Sequence, residues 1–408
     1  MNIRMYNVGF GDCFLLSDDA QNLLVDFGSD TPGVLSGIAN DIENLNCGKE
    51  LSVLMTHFHK DHINGFWETN LPGKVNIGNV YIPDIFAMRE TLGELTFLQL
   101  HVLSDIFSSR VLNKKPVQIT LYSLLKSLMN INTNIHFLNR GCTFPFASRD
   151  YKVLWPCFSK LNLHKKVEAA VLALLARIDG IRTTPRGESP SDEPIPYADS
   201  FLNLTDSFTE ALLIGYGRLA QGGLQDSQIM ESIDGALKII SDDIEKWEPH
   251  LPEKLIDELN AEVRSMRQQE NKISIVFQDK PVDGVSSLLM TGDIPVSELK
   301  KIIFNKDISC YMEMSVKYRI IKAPHHATNS HFTNLLPSCD KILASNGHPN
   351  YSHGKWGKIS YQYGSFYSSH KGCQMICSNK RCELDELNNV NNCANCSFTS
   401  NPYLDVHL

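Results

Sequence analysis

Residues 51 to 62 read Leu51-Ser52-Val53-Leu54-Met55-Thr56-His57-Phe58-His59-Lys60-Asp61-His62, an apolar run that ends in three imidazoles and a carboxylate. The run has the length and character of a buried strand. Alternate residues on an extended chain point to the same side, so His57 and His59 face one way at the strand end while Asp61 and His62 follow on the turn. One loop can thereby face two adjacent cations. Imidazole and carboxylate without a thiolate suit zinc, manganese or iron. Four surface side chains on a polar loop are the plain alternative, and the density of ligand types behind an apolar strand argues against it.

Around this stretch the chain alternates short β segments with loops: Ile3 to Tyr6, Phe14 to Leu16, Asn22 to Asp26, Leu51 to Met55, Asn134 to Leu138 and Tyr151 to Leu154. Residues 86 to 130 read as helical. From 158 to 268 long helical periodicity takes over, interrupted by the Pro- and Ser-rich stretch Thr183 to Pro196. Strands return at Ile273 to Phe277, Ser287 to Thr291, Tyr318 to Ala323 and Lys341 to Ser345, with a helix near Val296 to Phe304. The expected organisation is a β-rich half over 1–157 with a helical insertion near 86–130, a helical insertion over 158–268, a second β-rich half over 269–370 and a Cys-rich segment over 371–408. The apolar stretch Val167 to Ile178 reads as a helix hydrophobic nearly all round, which implies burial in the insertion's own core or a partner interface and no cofactor site.

A chain of 408 residues with 42% hydrophobic and 21% charged residues is expected to carry two globular units or one domain with large insertions, and is neither fibrous nor disordered. Its net charge of −8 argues against coating nucleic acid by bulk charge. The charge is unevenly placed. Residues 187–270 hold 18 acidic and 6 basic side chains, whereas 296–381 hold 12 basic and 4 acidic. No run reaches the length of a membrane span, and Met1 leads directly into a strand-like pattern, so a cytoplasmic protein without membrane association is expected. Eleven cysteines, an odd number, read as thiols or metal ligands before disulfides. Cys377, Cys382, Cys393 and Cys396 could hold a separate structural zinc, although only the last pair has knuckle spacing.

His57-x-His59-x-Asp61-His62 matches the HxHxDH signature of the metallo-β-lactamase superfamily. Val8-Gly9-Phe10-Gly11-Asp12-Cys13, Leu24-Val25-Asp26-Phe27-Gly28, Thr291-Gly292-Asp293 and Pro324-His325-His326-Ala327 resemble the branch that contains the ComEC hydrolase domain and the choline-binding phosphoesterases. The resemblance runs over roughly 1–155 and 268–365. It implies an α/β fold, the αββα sandwich, with large helical insertions. It also implies two divalent ions, zinc or manganese, with His57 and His59 on the first, Asp61 and His62 on the second, and Asp293 bridging them. One of His325 and His326 would close the second site while the other touches a substrate oxygen, and the family pattern makes Asp26 a supporting residue. Asp61, His325 and His326 are the expected catalytic residues.

The sequence departs from hydrolases such as glyoxalase II at one place: Asn271 stands before Ser274 where those have a histidine, so the first ion would be held less tightly and manganese becomes more plausible. Asp12, Asn271, Ser274, Lys322 and His348 are expected around the site. His348 belongs to a Gly-His-Pro element that the branch also carries. A two-metal site makes hydrolysis the expected reaction. The basic stretch around His325 points to an anionic phosphodiester, in nucleic acid or a nucleotide, with Lys322 near enough to touch a phosphate. Hydrolysis of a lactone, thioester or phosphocholine ester is the alternative, as is an effector subunit that docks a protein partner through its acidic insertion.

Overall fold

The computed structural model describes residues 1–89, 93–111, 117–129, 133–161, 165–183, 201–222, 227–247, 252–304, 314–328, 331–345, 373–378 and 403–407. They fall into two compact units: residues 1–84, 130–161 and 271–408, and residues 85–129 with 162–270. The two helical stretches that are separate in sequence thus share one unit.

The first unit is a mixed α/β sandwich of two seven-stranded sheets. One sheet contains β1 (Asn2–Tyr6), β2 (Cys13–Ser17), β3 (Asn22–Phe27), β4 (Leu51–Leu54), β5 (Ile77–Pro83) and β6 (Asn134–Leu138) in that spatial order, with β14 (Tyr403–His407) pairing on β1 at the edge. The other contains β7 (Thr143–Phe146), β8 (Arg149–Trp155), β9 (Val276–Asp279), β10 (Val285–Met290), β11 (Lys317–Lys322), β12 (Ser338–Ala344) and β13 (Gln374–Cys377). Strands β3 to β6 are mutually parallel, as are β10 to β13.

Period-two alternation builds the core. Ile3, Met5, Phe14, Leu16, Leu23 and Val25 from one sheet meet Val153, Phe277, Leu288, Met290 and Ile320 from the other in a single buried cluster. Aromatic rings join the faces: Tyr81 of β5 lies 4.9 Å from Phe144 of β7, which stacks on Tyr151 at 5.3 Å. Removing such a ring by substitution with alanine costs about 3–5 kcal/mol. The even positions of β1 face the other way, where Arg4 and Tyr6 bond Asp41 at 2.9 and 2.7 Å. Asp41 belongs to α1 (Val34–Leu45), which buries Leu35, Ile38, Ala39 and Ile42, one stripe at helical spacing. The remaining helices of this unit are α2 (Lys60–Ile63), α3 (Gly65–Glu68) and α10 (Val296–Ile303).

The second unit is helical: α4 (Phe97–Val111), α5 (Thr120–Leu128), α6 (Lys165–Thr183), α7 (Phe201–Ala220), α8 (Ser227–Trp247) and α9 (Glu253–Glu270). Helix α9 buries Leu255, Leu259, Val263 and Met266. Helix α6 corrects an expectation, since it buries Val171, Leu174, Leu175 and Ile178 while Ala169, Ala173 and Ala176 are exposed. Alanines made the stretch look apolar all round, but they carry little hydrophobic surface to bury. No helix of the described residues is long and apolar enough to cross a membrane.

Three further differences are local. The stretch Asn271–Ile273 is a 3₁₀ turn and the strand after it starts at Val276, a result of the chain bending before it enters the sheet. Strands β5 and β7 were not foreseen, because Gly78 and Asn79 in one and Pro145 in the other are poor strand formers that a place in the sheet overrides. Strands β13 and β14 lie in the Cys-rich segment, to which no fold element was assigned.

Candidate metal centre

The carboxyl ends of the parallel strands β3, β4, β10 and β11 carry the chemistry-bearing loops, the position at which parallel sheets leave room for ligands. The loop after β4 holds His57 and His59 and runs into α2 with Asp61 and His62. Gly28, just after β3, permits its approach: a Cβ there would overlap the Asp61 carbonyl carbon and the His62 amide nitrogen. Gly11 has φ 146 and lies equally close to the Asp61 and Gly28 carbonyls. The turn after β11 is bent more sharply, with His325, His326 and Ala327 all left-handed at φ 47, 55 and 60. Three consecutive non-glycine residues in that region cost about 1–2 kcal/mol each, a strain of the kind that collects at functional sites.

Hydrogen bonding fixes how each ring is turned. Asp26, itself at φ 56, accepts Thr56 N–H on Oδ1 at 2.7 Å, and on Oδ2 accepts Thr56 Oγ1 at 2.7 Å and His62 Nδ1 at 2.9 Å. Thr56 spends its one hydroxyl proton on Asp26, so it accepts from His57 Nδ1, 3.1 Å away. Across the site, Asp12 Oδ1 lies 3.1 Å from His326 Nδ1. In all three imidazoles Nδ1 is the nitrogen tied to a hydroxyl or carboxylate, which turns Nε2 the other way, as such partners orient metal-binding histidines. Both oxygens of Asp26 are engaged, as are both of Asp12, whose Oδ2 pairs with Lys322. The same two aspartates also fall into potential ligand groups, Asp12, Asp26 and His62 in one and Asp12, Asp293 and His326 in another.

The inward atoms converge. Asp293 Oδ2 lies 3.3 Å from His62 Nε2 and 3.4 Å from His326 Nε2, and Asp61 Oδ2 lies 3.9 and 3.5 Å from the same two nitrogens. Ligand atoms sharing one tetrahedral cation at about 2.1 Å stand about 3.4 Å apart, so these spacings fit a divalent ion. His57, His62 and Asp293 form one potential ligand group, and Asp61, His62 and His326 another. His57 Nε2 also lies 3.1 Å from His59 Nδ1. His62 is fully buried, and its Nε2 has no hydrogen-bond partner, which agrees with an atom kept for a cation.

The electrostatics match. Burial disfavours a charged His62, yet Asp293, Asp61 and Asp26 outweigh it and hold its pKa well above the ordinary imidazole value. Burial opposes charge on His326 too, and Asp293 with Asp12 raises it to about 10. Asp293 is burdened by burial but held well below the usual carboxylate range by His326, His62 and Lys322. His57, by contrast, is pushed well below its ordinary value by burial and by His62 and His59, which keeps it neutral. A proton or a metal ion can satisfy the carboxylates here, and both compete for the same ring nitrogens.

The paired histidines are placed differently. His326 is buried with Nε2 in the cluster, whereas the His325 side chain is 22% exposed and its Nε2 lies 3.8 Å from Asp293. His325 Nδ1 lies 2.8 Å from Thr328 Oγ1, its ring stacks on His331 at 3.9 Å, and burial lowers its pKa to about 3. Lys322 corrects another expectation: it is 1% exposed and bonded to Asp12, Asp293 and the Gly292 carbonyl, so it does not reach out to a phosphate. Ser274 Oγ accepts the Asp293 N–H at 3.2 Å. Asn271 is buried with its Oδ1 in no hydrogen bond. Thr56 and Thr328 escaped the sequence reading, and the signal for both was a hydroxyl within three residues of a ligand-type histidine. His348, Cys382, Cys393 and Cys396 lie outside the described residues, while Cys377 is buried in β13.

No family profile and no curated protein matches the chain. Its structural neighbours are metallo-β-lactamases. MEM-A1, a subclass B3 enzyme from a soil metagenome library, is 16% identical over 37% of this chain at a TM-score of 0.21, and the chain spans only 51% of its length. A motif mutant of the enzyme from Cronobacter sakazakii is 8% identical over 61% of this chain and 96% of its own, at a TM-score of 0.25. SMB-1 bound to 2-mercaptoethanesulfonate is 11% identical over 59% and 95%, at 0.21. At such TM-scores the likeness adds nothing to what the distances above establish.

Proposed function

We propose that the protein is a metal-dependent hydrolase that cleaves a phosphodiester. The observation that carries the reading is the convergence of His62 Nε2, His326 Nε2, Asp61 Oδ2 and Asp293 Oδ2 while each ring's Nδ1 is tied to a supporting carboxylate. In this reading His57 and His59 hold one divalent ion, Asp61, His62 and His326 hold a second, and Asp293 is shared. Bound divalent ions would supply Lewis acidity, giving a water that ionises near neutral pH and offsetting charge that develops on a phosphoryl oxygen.

The chain's own residues do the rest. Asp26 and Asp12 keep the imidazole tautomers correct. His325, neutral at pH 7 and partly exposed, offers an imidazole N–H to a substrate oxygen at the edge of the cluster. The net positive balance of residues 296–381 favours an anionic substrate, with Lys322 excluded from that role by its burial. The test is metal analysis followed by a panel of bis-p-nitrophenyl phosphate, single- and double-stranded DNA, RNA and lactones. Metal-dependent turnover of a phosphodiester is the expected result; turnover of lactones alone overturns the substrate class, and absence of bound metal overturns the whole reading.

A further inference from the structure

We propose that Lys322 is a positioning residue whose buried ammonium decides which oxygen of Asp293 and which nitrogen of His326 face the cation site. The role rests on the metal reading above and deepens it. Lys322 ends β11, and its three N–H donors meet three acceptors: the Gly292 carbonyl at 2.9 Å, Asp293 Oδ1 at 3.3 Å and, in the closest contact, Asp12 Oδ2. No donor is left over for a substrate.

Two arms leave that one nitrogen. On the first, holding Asp293 by Oδ1 turns Oδ2 toward His62, His326 and His325 at 3.3, 3.4 and 3.8 Å. On the second, holding Asp12 by Oδ2 leaves Oδ1 for His326 Nδ1, and this sets the ring with Nε2 inward. Lys322 is further laced into the β10 turn, for its own carbonyl accepts from Thr291 Oγ1 at 2.8 Å and the Gly292 carbonyl also accepts from His325 N–H at 3.2 Å. The ammonium therefore ties the Asp12 turn of one sheet to the Asp293 turn of the other, both at the cation site.

The sign of the effect separates this role from plain charge balance. A fixed positive charge beside a divalent cation repels it, so on charge alone Lys322→Met tightens metal binding. Positioning predicts the reverse, because the freed carboxylates re-pair and Asp293 and His326 lose their orientation. Lys322→Arg keeps the charge but replaces the compact ammonium with a planar fork that cannot meet the same three acceptors. Zinc and manganese dissociation constants are measured by chelator competition on the full chain, with Co(II) absorption reporting coordination geometry and circular dichroism reporting the fold. Both variants should bind at least about tenfold more weakly, the cost usual for lost support of a metal ligand, with an altered Co(II) spectrum. Tighter or unchanged binding in Lys322→Met overturns the role. If that variant does not fold, Lys322→Arg decides: parental affinity and spectrum overturn the role, and weakened binding upholds it. A parent that takes up no divalent ion overturns the function reading, and the role with it, a result distinct from variants that bind like a competent parent.

Discussion

Two buried clusters in this chain are made of the same residue types and do opposite things. At the rim of the sandwich, His57, His62 and His326 each have one nitrogen tied to a hydroxyl or carboxylate, and Nε2 of His62 and of His326 converge on shared aspartate oxygens. In the helical unit, His101 of α4 is also fully buried between carboxylates, with Nδ1 3.3 Å from Glu270 and Nε2 3.2 Å from Thr120 Oγ1. Asp105 accepts from Thr120 on both N–H and Oγ1 at 2.7 and 2.6 Å. There the two ring nitrogens face separate groups, Glu270 on one side and Thr120 on the other, so the ring joins α4 to α9 and α5 instead of sharing an oxygen with a second imidazole. Residue type and burial are common to both; what sets the first cluster apart is that two imidazoles share the same carboxylate oxygens.

Asp293→Ala breaks the comparison most severely. Asp293 Oδ2 lies 3.3 Å from His62 Nε2 and 3.4 Å from His326 Nε2, and two buried imidazoles of raised pKa would lose the carboxylate that does most to compensate them. The expected outcome is loss of metal together with all activity, read by elemental analysis and turnover. A variant with parental metal content would remove Asp293 from the ligand set.

A smaller loss is expected from Asp26→Asn. The amide keeps the shape but can no longer accept from Thr56 N–H, Thr56 Oγ1 and His62 Nδ1 as a carboxylate does, so the tautomers of His57 and His62 are released. Metal affinity should fall about 10–100-fold while the ligands stay in place. Chelator titration checks it, and an unchanged affinity would reduce Asp26 to a turn residue.

Much of this site was legible because its residues are local. His57 to His62 occupy six consecutive positions, and a strand followed by ligand types is a short-range signal. The parts that were not legible depend on pairing between distant segments. Nothing in the sequence says that Lys322 faces inward, since its burial comes from Asp12, 310 residues earlier in the chain, and from the β10 turn. The different placement of His326 and His325 depends on three left-handed residues, a backbone state that side-chain patterns do not encode. The same holds for the fold. Strands β3 and β4 announce themselves as apolar runs, whereas β14 is a strand only because β1 presents an edge for Tyr403–His407 to pair with. The joining of residues 85–129 with 162–270 into one unit is likewise a tertiary fact.

The smallest effect expected is on the helical clamp, and it sharpens the contrast by leaving the metals alone. Burial opposes charge on His101, but Glu270 and Asp105 outweigh it and raise its pKa, against a lesser downward push from Arg267. A raised folded-state value means that the stabilisation is complete below the ordinary imidazole pKa of about 6.5 and is lost as pH climbs through the folded value. Hydrogen exchange over α4 and α9 should therefore be several-fold less protected at pH 8.5 than at pH 6, after correction for intrinsic rates. In His101→Gln protection at pH 6 should drop toward the high-pH level and vary little with pH, while metal content stays parental. Equal pH dependence in parent and variant would show that His101 is not the group that titrates, and loss of metal in the variant would end the division between clamp and centre.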